Sequence, residues 1–544
     1  MFPARTRTRS GPRARQPNRP VMAVKTTHRA CLALLALALC APWARPGMPG
    51  DWPQWGHDMT RNMSCAETGL PGHFVAGRFL DGSDAIDMAT TQNVKWVARL
   101  GSQSYGNPIA AGGRVYVGTN NDSPRDPRLT GDRSALYCLD AESGALLWQL
   151  SAPKLGTGQV SDWEFVGLCS SPAVEGDRLW VLTNRCELAC LDVNGLADGN
   201  DGPYQDEGRY LAGPGNEPLE LAETDADIIW LFDLIAECGV RPHNIASSSP
   251  CLVGDRVWVS TSNGVDVGHL QAPAPDAPSL IVLHKDTGAL LAEEASGLSR
   301  RILHSNWTSP AYLRTEELEL AIFGGPDGWI YAFEPDPVQA GEGRPVLREA
   351  WRCDANKPEY RVDEEGNPRR YPTRDGPSEV LATPIVWGGK VYAVIGQDPD
   401  HGSGVGRLVC IDPGGEGDVS QTHVLWDYDR IHRSMSTPAI YAGLLFAADF
   451  SGFVYCLDAR TGEEHWVHDT MANIWGSPLV ADGKVYIGNE DGFLTILPAS
   501  ADYAKERVVE VDMTSPIYSS PIAADSVLYV SLHTHLFALQ ESGG

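Results

Sequence analysis

The apolar residues of this chain fall into short runs that are separated by turn residues. Residues 451–497 show the pattern most clearly, because the runs FVYCLD, EEHWVH and KVYIG are rich in Val, Tyr, Trp and Ile. Gly462 and the pair Asp482-Gly483 lie between these runs. Strand, turn and strand at this spacing predict an antiparallel sheet with tight hairpins.

The same unit recurs along the chain, and each copy begins with a Ser, Thr or Asn that is followed by Pro. A strand, a turn, a second strand and a third strand follow each pair, and a fourth strand often carries Trp. The pairs are Asn107-Pro108, Ser171-Pro172, Ser249-Pro250, Ser309-Pro310, Thr383-Pro384, Thr437-Pro438, Ser477-Pro478 and Ser520-Pro521.

The last unit stops after its third strand, near Leu539, and a spare strand lies upstream at residues 93–100. A ring that is closed by this N-terminal strand uses both pieces and leaves only short sheet edges. A solenoid would leave the split last unit without a purpose. We therefore predict an all-β fold, an eight-bladed β-propeller of four-stranded antiparallel blades over residues 93–540.

Polar insertions interrupt the predicted ring at residues 120–134, 194–225 and 341–378. We expect them to project from the ends of the ring, where function usually lies. Residues 45–92 precede the ring and are predicted to form an N-terminal extension that packs on it.

The first 50 residues contain no Asp or Glu, and basic residues precede the apolar run CLALLALALCA at 31–41. This pattern predicts a secretory signal peptide over residues 1–44 and no transmembrane segment in the mature chain. Met22 is an alternative start, in which case residues 1–21 are not translated. The protein is expected in the periplasm or outside the cell, and attachment to the outer membrane through lipidated Cys40 stays open, although Leu39 is large for a lipoprotein cleavage site.

The charge of the chain bears on its partners. Removal of residues 1–44 takes away eight basic residues and no acidic ones, so the formal net charge goes from −27 to −35. A chain this acidic repels phosphate backbones, which argues against a nucleic-acid partner.

The cysteines give no sign of a cofactor. The chain has no CxxCH, no CxxC and no adjacent Cys pair. Cys138, Cys410 and Cys456 occupy the same place in three repeats, where we expect a small core residue.

Two stretches, ALYCLDAESGALLW at 135–148 and FVYCLDARTGEEHW at 453–466, resemble the blade motif of the pyrroloquinoline-quinone (PQQ) repeat propellers. The segments at 51–62 and 67–71, and 262–266 together with His269 and residues 273–279, resemble a secreted bacterial branch of that superfamily. The resemblance implies that the turn glycine and the fourth-strand Trp dock one blade against the next. The tryptophans concerned are Trp96, Trp148, Trp230, Trp351, Trp426 and Trp466.

Two better-known groups of relatives frame the function. The quinoprotein alcohol dehydrogenases hold PQQ and Ca²⁺ in the channel, with a catalytic Asp, a stacking Trp and a disulfide between adjacent cysteines. The outer-membrane assembly lipoprotein propeller is a non-catalytic scaffold that binds a partner protein through its loops.

Candidate binding residues lie just ahead of the Ser/Thr-Pro strands, where the channel of the ring should open. Stacking faces, amides and a guanidinium suit a planar polyanionic cofactor. The alternative is a polar, water-filled channel whose residues only cap strands. The candidates are Trp163, Glu164, Asn244, His304, Asn306, Trp307, Arg433, Asn473 and Trp475.

A second candidate is a calcium loop formed by Asp192, Asn194, Asp198 and Asp201. Hard cations take several oxygen ligands on a flexible turn, but the spacing does not fit an EF-hand. A surface loop rich in Asx turns is the alternative. The glycine-rich segment at 397–406, which carries His401, is interpreted as a solvated hairpin loop.

Two hypotheses for the function follow. The first is an exported, monomeric binding or scaffold propeller whose ligand or envelope partner is unassigned and whose inserted loops hold the partner. The alternative is a PQQ- and calcium-dependent oxidoreductase acting on alcohols or sugars. The missing Cys pair and the lack of a clear carboxylate set favour the first, no catalytic residue is assigned, and the question of an enzyme stays open.

Overall fold

The computed structural model describes residues 50–157, 160–339 and 341–541, so the predicted signal peptide lies outside the described residues. Eight four-stranded antiparallel sheets form the blades of a β-propeller, and the prediction of the fold is confirmed. The strands, from the inner to the outer one, are Ile109–Ala111, Arg114–Asn120, Arg133–Asp140 and Leu146–Pro153 in blade 1; Ala173–Glu175, Arg178–Leu182, Glu187–Asp192 and Ile228–Asp233 in blade 2; Cys251–Val253, Arg256–Ser260, Leu280–His284 and Leu290–Glu294 in blade 3; Ala311–Arg314, Glu319–Gly324, Trp329–Phe333 and Glu349–Asp354 in blade 4; Ile385–Trp387, Lys390–Ile395, Arg407–Ile411 and Val424–Tyr428 in blade 5; Ala439–Tyr441, Leu444–Ala448, Phe453–Asp458 and Glu464–Asp469 in blade 6; Leu479–Ala481, Lys484–Gly488, Phe493–Pro498 and Val509–Asp512 in blade 7; and Ile522–Ala524, Val527–Ser531, His535–Leu539 and Val94–Arg99 in blade 8.

The ring is closed by the N-terminal strand. Val94–Arg99 pairs antiparallel with His535–Leu539, with Trp96 opposite Ala538. Blade 8 is therefore built from both ends of the propeller sequence, which removes the open edge that the last blade would otherwise present.

The remaining elements of the described residues are short. The additional strands are Arg78–Phe79, Ile86–Asp87, Val338–Gln339, Pro345–Leu347 and Gly417–Asp418. The helices are Glu207–Ala212, Leu234–Cys238 and Pro358–Arg361, with 3-10 turns at Met88–Thr90, Gly195–Ala197, Leu298–Arg300 and Lys505–Arg507. None of the helices in the described part of the chain is long and apolar enough to cross a membrane.

The core lies between the faces of neighbouring blades, and tryptophans of the outer strands occupy the seams. The Trp148 indole N–H donates to the Val193 carbonyl oxygen at 2.8 Å, across the seam between blades 1 and 2. Gly462 has a positive φ of 73°, and a Cβ there would come within 2.5 Å of the Trp426 ring. Only glycine allows the turn of blade 6 to lie this close to the indole of blade 5.

The other seam tryptophans follow the same pattern or lie buried at equivalent places. The indole N–H groups of Trp96, Trp230 and Trp466 donate to the carbonyl oxygens of Ala141, Lys285 and Ser500. Trp351 is fully buried in the outer strand of blade 4. Cys138, Cys410 and Cys456 are buried, as small core residues should be.

A belt of hydrogen bonds runs around the channel through the residues that precede the prolines. In seven of the blades the backbone N–H donates to the side-chain oxygen of a neighbouring blade, and the Ser171 hydroxyl donates to the Asn107 carbonyl oxygen at 3.0 Å to complete the circle. The N–H bonds are Ser171 to Ser249 (3.0 Å), Ser249 to Ser309 (2.9 Å), Ser309 to Thr383 (3.4 Å), Thr383 to Thr437 (3.1 Å), Thr437 to Ser477 (2.9 Å), Ser477 to Ser520 (2.8 Å) and Ser520 to Asn107 (2.7 Å). We call these residues the inner belt.

Residues 50–67, called the leader below, run around the inside of the ring and meet all eight blades in order. In each blade one backbone N–H at or next to the inner strand donates to the leader. The donor and acceptor pairs are Asp525 to Gly50, Ala110 to Trp52, Val174 to Pro53, Leu252 to Gln54, Tyr312 to Met59, Val386 to Thr60, Ile440 to Asn62 and Val480 to Met63. The leader thus pairs with the edges of the inner strands that face the channel.

Arg61 fixes the leader in the channel. Its side chain is fully buried, at 0% exposure. The guanidinium donates to the carbonyl oxygens of Trp55 (2.6 Å), Pro250 (3.0 Å) and Ser249 (3.2 Å), and its Nε donates to that of Pro310 (2.8 Å). A buried charge needs such a complete set of partners, and with Trp55 it closes this end of the channel.

Parts of the insertions at 194–225 and 341–378 pack along the outside of the blades. Pro345–Leu347 adds a parallel strand to the outer strand of blade 3. Asp225 forms a parallel bridge with Gln149 of the outer strand of blade 1, and Glu207–Ala212 packs on that strand. These segments cover strand edges that would otherwise be open to other chains.

Candidate functional site

The channel opens at the end opposite the leader, which we call the mouth. The connections from one blade to the next meet there with the loops between second and third strands. Two isolated β-bridges join them: Gly264 of a loop pairs with Ser305 of a connection, and Gly396 of a loop pairs with Glu379 of a connection. A cavity of about 330 Å³ lies between the inner belt and the mouth, with Trp55 of the leader among its lining residues.

Aromatic side chains form much of the cavity wall. Trp475 stacks on Tyr518 with ring centroids 4.7 Å apart and an interplanar angle of 19°. Tyr105 lies 5.3 Å from Tyr518, and Trp163 and Trp307 line other parts of the wall. Trp163 is 44% exposed, so its ring is available to a ligand at the entrance.

The charged groups at the cavity are acidic. Asp398 and Asp400 line it, and no Lys or Arg does so among the described residues. Behind the wall, Glu490 accepts hydrogen bonds from the Tyr518 hydroxyl (3.0 Å) and the Trp475 indole N–H (3.3 Å). Burial, with the nearby Asp400 carboxylate, raises the pKa of Asp398 to about 6. The charged side chains that line the cavity are therefore carboxylates, and the Arg433 guanidinium contacts the loop that carries them.

Four histidines cluster beside this cavity. His243 and His304 come from the connections into blades 3 and 4, and His269 and His401 come from loops of blades 3 and 5. Ring centroids lie 4.5 Å apart for His243 and His304, and 4.5 Å apart for His269 and His401. The His269 and His304 rings are stacked at 5.0 Å.

Two carboxylates approach the cluster. His304 Nδ1 lies 3.9 Å from Asp398 Oδ2 and 4.0 Å from Glu379 Oε1. Glu379 is fully buried and accepts a 2.7 Å hydrogen bond from the Tyr371 hydroxyl. Burial, together with the charge of Asp398, raises the pKa of Glu379 well above its usual value.

The histidines are held neutral by their surroundings. Burial, with the neighbouring imidazoles, lowers the pKa of His304 to about 2. Burial lowers the pKa of His243 to about 4. Neutral imidazoles offer a lone pair, and two groups of three converging ligand atoms occur in the described part of the chain: His243, His269 and His304, and His304, Asp398 and His401.

Comparison with known proteins gives the family. The PQQ-repeat family model described as outer membrane protein assembly factor BamB matches residues 74–195, 372–467 and 404–515. Outer membrane protein assembly factor BamB of Shewanella oneidensis is 27% identical over 154 residues, which are 28% of this chain and 34% of the relative. The chain is a PQQ-like β-propeller.

Solved structures with similarity to this PQQ-like propeller include dehydrogenases and a BamB protein. A europium-containing methanol dehydrogenase has a TM-score of 0.55 at 12% identity, covering 90% of this chain and 98% of that one. BamB from Moraxella catarrhalis has a TM-score of 0.47 at 14% identity, and the match covers 83% of this chain and 98% of that one. The quinohemoprotein alcohol dehydrogenase of Comamonas testosteroni has a TM-score of 0.47 at 11% identity, covering 92% and 82%.

The structure of the PQQ-like propeller brings together part of the set of mouth residues that we derived from the sequence. Trp163, Asn244, Trp307 and Trp475 line the cavity. His304 lies in the histidine cluster beside it, where its ring meets that of Trp307 at 5.2 Å.

The other predicted mouth residues have different surroundings. Glu164 is exposed. The Asn306 amide donates to the Ser279 carbonyl oxygen at 2.7 Å, and the Asn473 amide donates to Glu490 at 2.9 Å. The Arg433 guanidinium donates to the Asp398 carbonyl oxygen at 2.9 Å and stacks over Phe450, so it fixes a mouth loop instead of facing a ligand.

Two of the four residues of the predicted calcium loop accept hydrogen bonds from arginines, and the other two contact Asn194 or Asp227. Asp192 accepts from Arg178 at 2.5 Å, and the Asn194 side-chain oxygen accepts from Arg114 at 2.5 Å. The Asn194 amide donates to Asp198 at 2.9 Å, and the Asp201 backbone N–H donates to Asp227. Guanidinium groups therefore contact one oxygen each of Asp192 and Asn194, and calcium binding by this loop stays a prediction.

The sequence did not predict the acidic residues and two of the histidines that lie at the mouth. Asp398, Asp400 and His401 belong to the segment at 397–406 that we interpreted as a solvated loop. Two Asp residues and a His within four positions of that segment were the sequence feature that could have indicated a functional site. His269 lies in a segment that resembles the secreted branch of the family, but nothing local in the sequence links it to His304.

The residues present do not fit PQQ with calcium. A cofactor that carries several carboxylates needs cationic partners, whereas the cavity presents Asp398 and Asp400. Glu164, Asn244 and Asp266 are the nearest candidates by blade position for the residues that hold Ca²⁺ and the base in the dehydrogenases, but Glu164 is exposed and Asp266 accepts the Leu270 backbone N–H at 2.9 Å. Both groups of converging ligands in the described residues contain His304 instead.

Proposed function

We propose that this PQQ-like propeller is an exported, non-catalytic binding protein of the cell envelope whose mouth binds a positively charged organic molecule. The observation that carries the proposal is the lining of the cavity. Aromatic residues, Asp398 and Asp400 line it, with no basic residue among the described lining residues. Such a site attracts an amine or quaternary ammonium group and stacks on an apolar body.

The relatives support the proposed place in the envelope. The matching family model and the Shewanella relative are both named as an outer membrane assembly factor. The basic N-terminus with its apolar run also favours export.

A protein partner is the second function that we propose. The same relatives support it, because assembly of other proteins is part of their name.

A titration followed by tryptophan fluorescence tests the small-molecule function. Benzyltrimethylammonium serves as the cationic probe and benzenesulfonate as the anionic probe of similar flat shape. We expect saturable binding of the cation at the mouth, and no binding of the sulfonate or of PQQ with or without Ca²⁺, because the cavity carboxylates repel anions.

Variants locate the binding site. Asp400→Asn and Trp475→Leu should each weaken binding of the cation at least tenfold, since they remove a charge and a stacking face. Asp502→Asn, an exposed carboxylate of blade 7, is the matched control and should leave the affinity unchanged. Equal affinity for the cationic probe in all three variants, or calcium-dependent binding of PQQ, would contradict the proposal.

A further inference from the structure

We propose that His243, His269, His304 and His401 bind one divalent transition metal ion of the zinc or copper class at the mouth. The ligand atoms of the first three residues lie within 4.8 Å of one another, and so do those of His304, Asp398 and His401. The proposed site adjoins the cavity, and Asp398 belongs to both, as a lining residue of the cavity and as a member of one ligand group.

The first argument is the environment of His304. Its side chain is fully buried, at 0% exposure, and neither ring nitrogen has a hydrogen-bond partner among the described residues. Burying an unpaired polar group costs free energy, and buried polar atoms in native proteins nearly always have a partner. A metal ion bound to one of the two nitrogens supplies the partner that the protein does not.

The second argument is the orientation of His243. Its Nδ1 lies 2.7 Å from the Val265 carbonyl oxygen, which can only accept a hydrogen bond. The proton of the neutral ring is therefore on Nδ1, and Nε2 carries the lone pair. Nε2 has no hydrogen-bond partner within the described part of the chain. A backbone carbonyl that fixes the tautomer in this way is the usual outer partner of a metal-binding histidine.

The ligand atoms must move closer together to hold an ion, because within each of the two groups they are up to 4.8 Å apart. Zinc binds imidazole nitrogen at about 2.0–2.1 Å, so the nitrogens of a tetrahedral site lie about 3.3 Å apart. His269 and His401 lie on loops and are partly exposed, so they can close onto the ion, whereas His243 and His304 are buried and set its position. The Nε2 of His269 is also unpaired among the described residues.

The choice of metal follows from the ligands. Imidazoles suit Zn²⁺, Cu²⁺ and Ni²⁺, whereas Ca²⁺ and Mg²⁺ take oxygen ligands. Asp398 and Glu379, at 3.9 Å and 4.0 Å from His304 Nδ1, can balance the positive charge. Bound metal would tie together segments from three regions of the ring, from the connection into blade 3 to the loop of blade 5.

The experiment uses the mature chain without a histidine tag, treated with EDTA and dialysed. Calorimetric titration with Zn²⁺ and elemental analysis measure affinity and stoichiometry, and the visible spectrum of the Co²⁺ form reports on ligand geometry. We expect one ion per chain, a tetrahedral Co²⁺ spectrum, and a rise of Tm on addition of Zn²⁺, since a ligand that binds the folded state stabilises it.

The variants identify the ligands. His269→Ala and His401→Ala should each weaken Zn²⁺ binding at least tenfold and change the Co²⁺ spectrum, while both residues are exposed enough for the fold to survive, which Tm checks. His304→Gln should abolish binding. His465→Ala, an exposed histidine on the outer strand of blade 6, is the matched control. No zinc binding by the folded chain, or binding that survives His269→Ala and His401→Ala unchanged, would overturn the proposal and leave water as the partner of His304.

Discussion

The Nε of Arg61 donates a 2.8 Å hydrogen bond to the carbonyl oxygen of Pro310, which joins the leader to the inner strand of blade 4. The same guanidinium also reaches Ser249 and Pro250 at the entry to blade 3. One side chain of the leader thus holds two neighbouring blades and closes the channel beneath the cavity.

Replacement of Arg61 by Met should destabilise the ring. The methionine keeps most of the side-chain length, but the buried carbonyl oxygens of Trp55, Ser249, Pro250 and Pro310 lose their charged donor. Loss of several such bonds should lower the free energy of unfolding by about 3–5 kcal/mol. The midpoint of urea unfolding measures the change. Arg78→Met, at an exposed position, should change it by less than about 0.5 kcal/mol.

The inner belt gives a second prediction. The Ser477 hydroxyl accepts the Thr437 backbone N–H at 2.9 Å, so Ser477→Ala leaves a buried donor unpaired. We expect a loss of about 1–3 kcal/mol in the free energy of unfolding. Ser477→Thr keeps the hydroxyl and should behave like the unmodified protein. If the Ala and Thr variants unfold at the same urea concentration, the belt contributes nothing to stability.

The seam between blades 5 and 6 gives a third prediction. Gly462→Ala combines a positive φ of 73° with a Cβ 2.5 Å from the Trp426 ring, so backbone strain and a steric clash both act. Gly483→Ala, with a φ of 67° and no atom within 4 Å of the added Cβ, shows the strain alone. The backbone strain should lower the free energy of unfolding by about 1–2 kcal/mol in both variants. The steric clash should lower it by about 1–3 kcal/mol more in Gly462→Ala. Urea unfolding of the two variants measures both effects. Equal losses of unfolding free energy in the two variants would argue against tight packing at this seam.

Asp227 gives a prediction about pH. It is fully buried, its Oδ2 accepts the Asp201 backbone N–H at 2.9 Å, and burial together with nearby carboxylates raises its pKa to about 6. Because the pKa in the folded state lies above the usual value, the folded state binds the proton more tightly, and stability falls as pH rises from about 4 to 6.

Asp227→Asn removes this cost and keeps an oxygen that can accept from Asp201. We expect the variant to have a higher Tm than the unmodified protein at pH 8, and a smaller advantage at pH 5, where the native Asp227 already carries its proton much of the time. Calorimetric scans at the two pH values measure the difference. An advantage of equal size at both, or a lower Tm at pH 8, would contradict the argument.

The architecture could be predicted because it repeats. The residue before each proline, such as Ser477 or Ser520, occurs once per blade, and the spare strand at 93–100 showed how the ring closes. The leader has no repeat, so its path around the channel could not be inferred, although it contacts every blade. The role of the serine and threonine hydroxyls in the inner belt was likewise invisible, since it depends on a distance between blades.

The candidate site was only partly predictable for the same reason. Trp307 and Trp475 precede the inner strands, and position in the repeat placed them at the cavity. His269 and His401 come from loops of different lengths in blades 3 and 5, and only the curvature of the ring brings them to His304. Chemistry that is assembled from several blades leaves no local pattern in the sequence.

The leader also sets an order of events. Gly50 accepts the backbone N–H of Asp525 at 2.9 Å, and Trp96 of the closing strand lies opposite Ala538. These two contacts of the N-terminal part of the propeller therefore form only after the last blade has been synthesised. Until then the leader cannot complete its path around the channel, so the cavity reaches its final shape only when the ring is closed.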